Sequence, residues 1–363
     1  MTFNIALLAG DGIGPEVVAE GVRVLEAIGH RYGHDIRFQE GLIGGCAIDK
    51  HGTALPSASL KIARGSDAIL LGAVGGPKWD DPQAKVRPED GLLAIRKSLA
   101  LFANLRPVKV FPELAESSPL RPAVLEGVDF VVVRELTGGL YFGKPKRRWI
   151  TSKGQRRGVD TMAYSEEEVR RVLRVGFELA QGRRKKLTSV DKANVLETSR
   201  LWREVAVEVS SEYPDVTLEH LLVDTVAMQL VQSPNRFDVV VTENTFGDIL
   251  TDEAAVLAGS MGMLASASLA GIPQLGTRAL GLYEPVHGSA PDIAGQSVAN
   301  PLATILSTAM LFRYSLGLET EATVIENAVA QTIAAGCRSA ELVSPGKQAL
   351  STQEMANEVI ARL

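Results

Sequence analysis

The sequence predicts an α/β fold, and three observations carry the prediction. Short β-rich runs recur at Ile5–Ala9, Ala68–Ala73, Asp129–Arg134, Lys186–Val190 and Asp238–Thr242. Longer stretches with apolar residues at helical spacing alternate with them, as in βαβ units. Several of the runs are apolar throughout, which suits strands covered on both sheet faces. At 363 residues and 45% hydrophobic content, the chain can bury a large core as two domains or one doubly wound unit.

The elements follow in order. The opening MTFNIALLAGDG lacks a basic leader and runs straight into a glycine-rich turn, so it reads as a buried first strand. Pro15 then stands in the first turn of a helix whose Val17, Val18, Val22 and Leu25 form one apolar face. Ser165 and Glu168 make a capping box ahead of Val169, Val172, Leu173 and Phe177. The acidic start and the basic end of that helix, Arg183–Lys186, complement its dipole. Pro301 opens an Ala- and Leu-rich helix to about Leu316, and another runs from about Glu321 to Ala335. Ala254–Ile272 carries no charge, but its glycines and serines suit a close-packed helix and loop better than a membrane span. No Pro/Ser linker divides the chain, so a second domain has to be an insertion that leaves and returns.

Composition narrows the function. A net charge of -5 argues against a general nucleic-acid binder. The basic segment Lys144–Gly158 reads as a solvated, protruding arm. Cys46 and Cys337 show no disulfide framework and no metal-ligand spacing, which fits a reducing compartment. Gly10-Asp11-Gly12-Ile13-Gly14-Pro15 sits between a strand and a helix. Its third fingerprint position is proline, and no acidic residue ends a second strand at the right distance. It reads as a tight turn and not a dinucleotide fingerprint.

Chemistry concentrates elsewhere. Asp248 and Asp252 lie four apart after the run ending at Thr242, so on a helix both carboxylates face one side. They suit a hard divalent cation, with Asp224 as a third ligand, though such a pair also suits a solvated first turn. Arg96, Arg106 and Arg134 are placed to hold carboxylates, and beside acidic ligands they suggest a metal-bound polycarboxylate. Lys192 can act as a base and Tyr141 as a proton donor; a salt-bridged lysine and a core tyrosine are equally open readings. The segment from Glu284 to Gly295 is rich in Gly, Pro and Ser, and offers backbone N–H groups to phosphates. Asp292 suits ribose hydroxyls and repels a 2′-phosphate, favouring NAD over NADP.

Seven ordered motifs show a resemblance over essentially the whole chain. They are GDGIGPE from Gly10, GAVGGPKW from Gly72, GLLAIRKSLALFANLRP from Gly91, and VRELTGGLYFGKP from Val133. They continue as SVDKANVLETSRLWREV from Ser189, FGDILTDEA from Phe246, and EPVHGSAPDIAGQSVANP from Glu284. Together they resemble the β-decarboxylating isocitrate and isopropylmalate dehydrogenases, and the isopropylmalate branch most.

The resemblance implies a two-domain α/β fold with a large mixed sheet flanked by helices, distinct from the Rossmann type. Residues 1–101 and 259–363 would build the cofactor-binding domain. Residues 102–258 would be an inserted domain carrying substrate and metal residues and the dimer interface. It implies a homodimer with shared active sites, working in the cytoplasm on 3-isopropylmalate in leucine biosynthesis, without nucleic-acid or membrane partners. Arg96, Arg106 and Arg134 would bind the malate carboxylates. Asp248 and Asp252, with Asp224 from the partner, would bind Mg²⁺ or Mn²⁺. Lys192, also from the partner, would assist hydroxyl deprotonation, and Tyr141 would protonate the enol. Glu89, Leu92 and Leu93 would meet the γ-substituent, where the leucines suit an isopropyl group. Glu284, His287, Gly288, Ser289, Ala290, Asp292, Ile293 and Asn300 would line the NAD site. Glu341 stands where relatives commonly have Asp, and Thr225 where many have Asn. D-malate/tartrate and homoisocitrate dehydrogenases are the rival activities on this scaffold. A non-catalytic binding protein on it would be expected to lack a metal ligand or the lysine, and none is missing.

Overall fold

Ten strands form one twisted mixed sheet, with helices covering both faces. The computed structural model describes residues 1–79, 81, 84–272, 278–344 and 346–363. The strands are β1 (Thr2–Gly10), β2 (Asp35–Glu40), β3 (Ala68–Ala73), β4 (Ala103–Lys109), β5 (Asp129–Glu135), β6 (Arg147–Ile150), β7 (Arg156–Val159), β8 (Lys186–Asp191), β9 (Thr217–Leu222), β10 (Val239–Thr242), β11 (Ala265–Leu269) and β12 (Gly281–Pro285). The main sheet runs β2-β1-β3-β12-β11-β4-β5-β10-β8-β9. Its two flanks are parallel, while β12, β11, β4 and β5 pair antiparallel through the centre. That antiparallel centre separates the fold from a Rossmann sheet, in which the strands run parallel.

One flank, β2-β1-β3-β12-β11, is built from the two ends of the chain, and the other from residues 103–242. They meet where β11 pairs with β4, Ala267 opposite Leu105 and Ser268 opposite Asn104. The seam is polar yet closed. The fully buried Asn104 amide donates to the hydroxyls of Ser266 (2.7 Å) and Ser268 (3.2 Å). Strands buried on both faces read as apolar runs for the reason expected, and all six residues of β3 are buried.

The helices begin and end where local chemistry directs. Gly14–Tyr32 carries Pro15 in its first turn and stops at Gly33, whose φ of 70° places it in the left-handed region. Glu166–Gln181 starts with the Ser165–Glu168 capping box intact. Leu302–Leu311 continues as a single π-turn over Phe312–Leu316, so the expected helix is rewound in its last five residues. The expected helix near Glu321 starts slightly earlier, spanning Glu319–Ala334.

One expectation is corrected. Ala254–Ile272 is not helix and loop: after the helix ending at Ala255 it makes two short 3₁₀ turns and then the buried strand β11. Its alternating Ala and Ser side chains are small enough to lie under covering helices while the backbone stays paired. The basic segment does form an arm, β6 paired antiparallel with β7, with almost every side chain exposed. Among the described residues, no helix is long and apolar enough to cross a membrane.

Candidate active site

The sheet's antiparallel centre and the start of its inserted flank bring three arginines to one place. Arg106 lies on β4 and Arg134 near the end of β5, two adjacent strands. Arg96 comes from the last turn of the helix Pro88–Ser98. Asp248 and Asp252 occupy successive turns of the helix Asn244–Ala255, which follows β10 and is capped by Glu243 accepting from the amides of Thr245 and Phe246. The i, i+4 spacing puts both carboxylates on the side facing the arginines.

The contacts are dense. Arg134 pairs with Asp248 through Nη1, and the Tyr141 hydroxyl donates to the other Asp248 oxygen at 2.6 Å. Arg106 donates through Nη1 to Thr251 Oγ1 at 2.5 Å, lies 3.4 Å from Asp252, and donates through Nε to Asn104 Oδ1 at 3.0 Å. Arg96 donates to Glu284 at 2.7 Å and keeps a buried Nε without a partner among the described residues. Behind these, Asn244 accepts from Nε (3.1 Å) and Nη2 (2.8 Å) of Arg134 and donates to the Gly138 carbonyl at 3.2 Å.

The electrostatics follow. Burial pushes the Arg106 guanidinium down to about 10, and the facing charges of Arg134 and Arg96 push the same way. Burial and Arg96 also lower Arg134, with Asp248 opposing. Burial works to raise the Asp248 carboxyl, but Arg134, the Tyr141 hydroxyl and Arg106 outweigh it and hold it below the usual carboxylate value. Burial, then the hydrogen bond to Asp248, moves the Tyr141 phenol up to about 12. This is a cationic cluster that includes an ionised carboxylate and a protonated phenol. Arginines in such a cluster suit carboxylates.

Lys192 and Asp224 are elsewhere. Lys192 follows β8 and Asp224 follows β9, and the two side chains pair with each other. That contact holds the Asp224 carboxyl below its usual value. Among the described residues, no hydrogen bond or ion pair joins either of them to Asp248 or Asp252, and no group of three His, Cys, Asp or Glu side chains could hold a metal. Glu89, Leu92, Leu93 and Arg96 share one helix, with Leu92 resting on the core and Leu93 half-buried.

The remaining predicted positions cluster after β12. Glu284 ends up beside Arg96 and so borders the arginine cleft. His287 Nδ1 sits 3.0 Å from the Gly288 carbonyl, while Nε2 is buried with no partner among the described residues. Burial lowers the imidazole's pKa, favouring its neutral form. The Ser289 carbonyl accepts from the Ile13 amide at 2.8 Å. Ala290 has φ +37°, an unusual value for a residue with a side chain, just before Asp292 and Ile293. Asn300 is buried and donates to Glu341 at 2.9 Å; Glu341 also accepts from Ser260 at 2.5 Å.

A family model described as isocitrate/isopropylmalate dehydrogenase matches residues 4–359. This chain belongs to the isocitrate/isopropylmalate dehydrogenase family. The 3-isopropylmalate dehydrogenase of Anaeromyxobacter dehalogenans (strain 2CP-C) is 62% identical to it over 363 residues, covering 100% of both chains. That of Dehalococcoides mccartyi (strain ATCC BAA-2266 / KCTC 15142 / 195) is 58% identical over 359 residues, 99% of this chain and 98% of its own. The crystal structure of isocitrate dehydrogenase from Methylococcus capsulatus matches with a TM-score of 0.85 at 34% identity, covering 99% of both chains.

For a member of the isocitrate/isopropylmalate dehydrogenase family, the sequence reading missed the residues that hold the arginines in place. Asn244, Thr251 and Asn104 are short polar side chains with no motif of their own, and their roles appear only through contact. Glu16 was also missed: it accepts from the amides of Gly295 and Ser297, 3.2 Å for the latter, tying the first helix to the segment after β12.

Proposed function

We propose that the chain catalyses the NAD-dependent oxidative decarboxylation of 3-isopropylmalate to 4-methyl-2-oxopentanoate and CO₂, a step of leucine biosynthesis carried out in the cytoplasm. The observation that carries this reading is the clustering of Arg96, Arg106 and Arg134, with Arg134 joined to the Asp248–Tyr141 pair, which suits a substrate with two carboxylates and a hydroxyl. Leu92 and Leu93, on the same helix as Arg96, offer an apolar surface for the isopropyl group.

The donor sets suit the groups the reaction needs. Asp248 and Asp252 supply the hard oxygen ligands that Mg²⁺ or Mn²⁺ takes, with the partner subunit's Asp224 as the third. The segment from Glu284 to Asn300 suits NAD, since the buried, unpartnered Nε2 of His287 asks for a ligand atom. When bound, the metal polarises the C2 oxygen and NAD accepts the C2 hydride. The protein does the rest. The arginines orient the two carboxylates, and one must release its hold as CO₂ departs. The partner subunit's Lys192 takes the hydroxyl proton, and Tyr141, protonated well beyond neutral pH, returns one to C3 of the enol.

We infer a homodimer with shared sites. Met228 (54% exposed) and Val231 (44%) lie on Val223–Gln232, the helix of Asp224, and Ile249 (63%) lies next to Asp248. An apolar face continuous with ligands that lack their companions suits burial against a second copy. We also assign residues 1–101 and 259–363 to a cofactor-binding domain and 102–258 to the inserted one, on the division of the sheet.

The test is NAD reduction with Mg²⁺, comparing kcat/KM for 3-isopropylmalate, D-malate, isocitrate and homoisocitrate. A clear preference for 3-isopropylmalate is expected. A win for D-malate would overturn the role of Leu92 and Leu93 and leave the arginine assignment standing.

A further inference from the structure

The turn Gly10–Gly14, which the reaction just described leaves without a task, holds a buried carboxylate of unusual connectivity. Asp11 is 8% exposed, and no cation pairs with it among the described residues. Its oxygens are met chiefly by backbone, with the Cys46 thiol beside them: Oδ2 accepts from the amides of Gly45 (2.7 Å) and Gly75 (2.9 Å), and Oδ1 accepts from that of Cys46 (2.7 Å). Its own amide donates to the Ala73 carbonyl at 2.7 Å. One side chain thus fastens the end of β1 to the start of the helix Gly45–His51 and to the loop at Gly75, both distant in sequence. Amide donors to an ionised carboxylate are the stronger class of hydrogen bond.

The fastened segments matter because of what lies against the Gly75 loop. Gly75 has φ +120°, and a Cβ built there would stand 3.3 Å from Glu89 Oε1 and 3.7 Å from Ser289 Oγ. Its turn therefore lies between a residue of the proposed substrate pocket and one of the proposed NAD segment. On the other side, the Ile13 amide holds the Ser289 carbonyl, and a Cβ on Gly12 (φ +57°) would come within 1.9 Å of that carbonyl. Asp11 touches none of the three arginines.

We propose that Asp11 is a positioning residue for hydride transfer: through the Gly75 turn and the Ser289 carbonyl it sets the separation between the NAD segment and the substrate pocket. This rests on the proposed function above. It assigns the glycine-rich turn to the alignment of the two reactants, since Asp11 spends both oxygens on backbone amides.

The test uses the full-length protein with Mg²⁺ and two variants. Asp11→Asn is isosteric but turns one acceptor oxygen into an NH₂ facing an amide N–H. Gly12→Ala leaves Asp11 intact and pushes on Ser289. NAD affinity is measured by direct titration, and KM for each reactant and the isotope effect with C2-deuterated 3-isopropylmalate by kinetics. For both variants the dissociation constant of NAD should rise about tenfold and the isotope effect should grow, with KM for 3-isopropylmalate changed by less than about twofold. A folded Asp11→Asn protein with unchanged NAD affinity and isotope effect overturns the proposal. So does a parallel loss for both reactants with a lowered melting temperature, which marks a merely structural role. If Asp11→Asn does not accumulate as folded protein, Gly12→Ala decides by the same criteria. Wild-type protein that binds NAD but turns over none of the diacids refutes the proposed substrate, and the ratio of NAD affinities between wild type and variant still decides the role of Asp11.

Discussion

Removing the Asn244 amide should disable the cleft without touching any group that meets substrate. Asn244 is 1% exposed and Arg134 3%. The Asn244 Oδ1 atom takes two hydrogen bonds from the guanidinium. Each charged hydrogen bond of this kind contributes about 1.5–3 kcal/mol, and leaving buried donors unpaired costs their desolvation. The arginine cannot swing toward the helix for relief, because a Cβ on Gly247 would already lie 2.6 Å from Arg134 Cγ. A water entering the vacated space offsets part of the loss. We therefore expect Asn244→Ala to lower the unfolding free energy by about 2–4 kcal/mol.

Activity should fall further than stability suggests, since Arg134 keeps its contact with Asp248 but loses its aim. A displacement of about 1 Å in a positioning group can cost about a hundredfold in rate. The assay is urea unfolding at fixed protein concentration, paired with kcat/KM for 3-isopropylmalate. Asn244→Asp is the control. It keeps an acceptor for Arg134 but gives up the donor to the Gly138 carbonyl, so it should fall between wild type and Asn244→Ala. An Asn244→Ala protein within about 0.5 kcal/mol of wild type and within about twofold in kcat/KM would refute the reasoning. A protein that loses stability but keeps its rate would remove Arg134 from the substrate site.

Other outcomes follow from the same geometry. Asp248→Asn should raise the Mg²⁺ concentration needed for activity sharply, and an unaltered metal titration would count against Asp248 as a ligand. Because the Asp248 carboxyl sits below its unfolded value, its contribution to stability should be present above about pH 4 and lost as pH falls through the lowered value; unfolding of wild type and Asp248→Asn should converge there. A phenol raised to about 12 means that the ultraviolet difference between wild type and Tyr141→Phe shows no phenolate up to about pH 10, whereas its appearance near pH 9 would contradict the hydrogen bond to Asp248. Lys192→Met should nearly abolish turnover while leaving the fold intact. If sites are shared across two chains, reassorting inactive Lys192→Met with inactive Asp248→Asn should restore about a quarter of wild-type activity, because half the dimers are hybrids with one intact site each. No recovery after verified exchange would mean that both residues serve the same chain's site.

Much of this was legible in the residues. β3, β5 and β10 carry continuous apolar stretches because helices cover both faces, and burial leaves its mark on composition. β11 was hidden for the opposite reason: in ASASL the first four side chains are small, and its polarity comes from hydroxyls that serve Asn104. The charged members of the cleft stood out by type and by motif. Their supports did not, because Asn244 lies 110 residues from Arg134 and Thr251 lies 145 from Arg106. Nothing local distinguishes an asparagine that holds a guanidinium from one that faces water.

The strand order itself argues for how the site is assembled. β5, β10, β8 and β9 are neighbours in that order and run parallel, so their C-terminal ends lie along one edge of the sheet. Along that edge stand Arg134 at β5, Asp248 after β10, Lys192 after β8 and Asp224 after β9. Ligands of open α/β sheets gather at such ends. Yet neighbouring strands are about 4.8 Å apart, so the ends of β10 and β9 are separated by about 10 Å. Two carboxylate oxygens on one Mg²⁺ lie within about 4 Å of each other, since each bond is about 2.1 Å long. The pairing of Lys192 with Asp224 across adjacent strands is what this edge produces within one chain, and in the reading we propose it leaves Asp248 and Asp252 without the third carboxylate. The exposed apolar side chains of the two helices that carry these aspartates, Met228, Val231 and Ile249, point to the same resolution: the missing oxygen comes from a second copy, in the reading we propose.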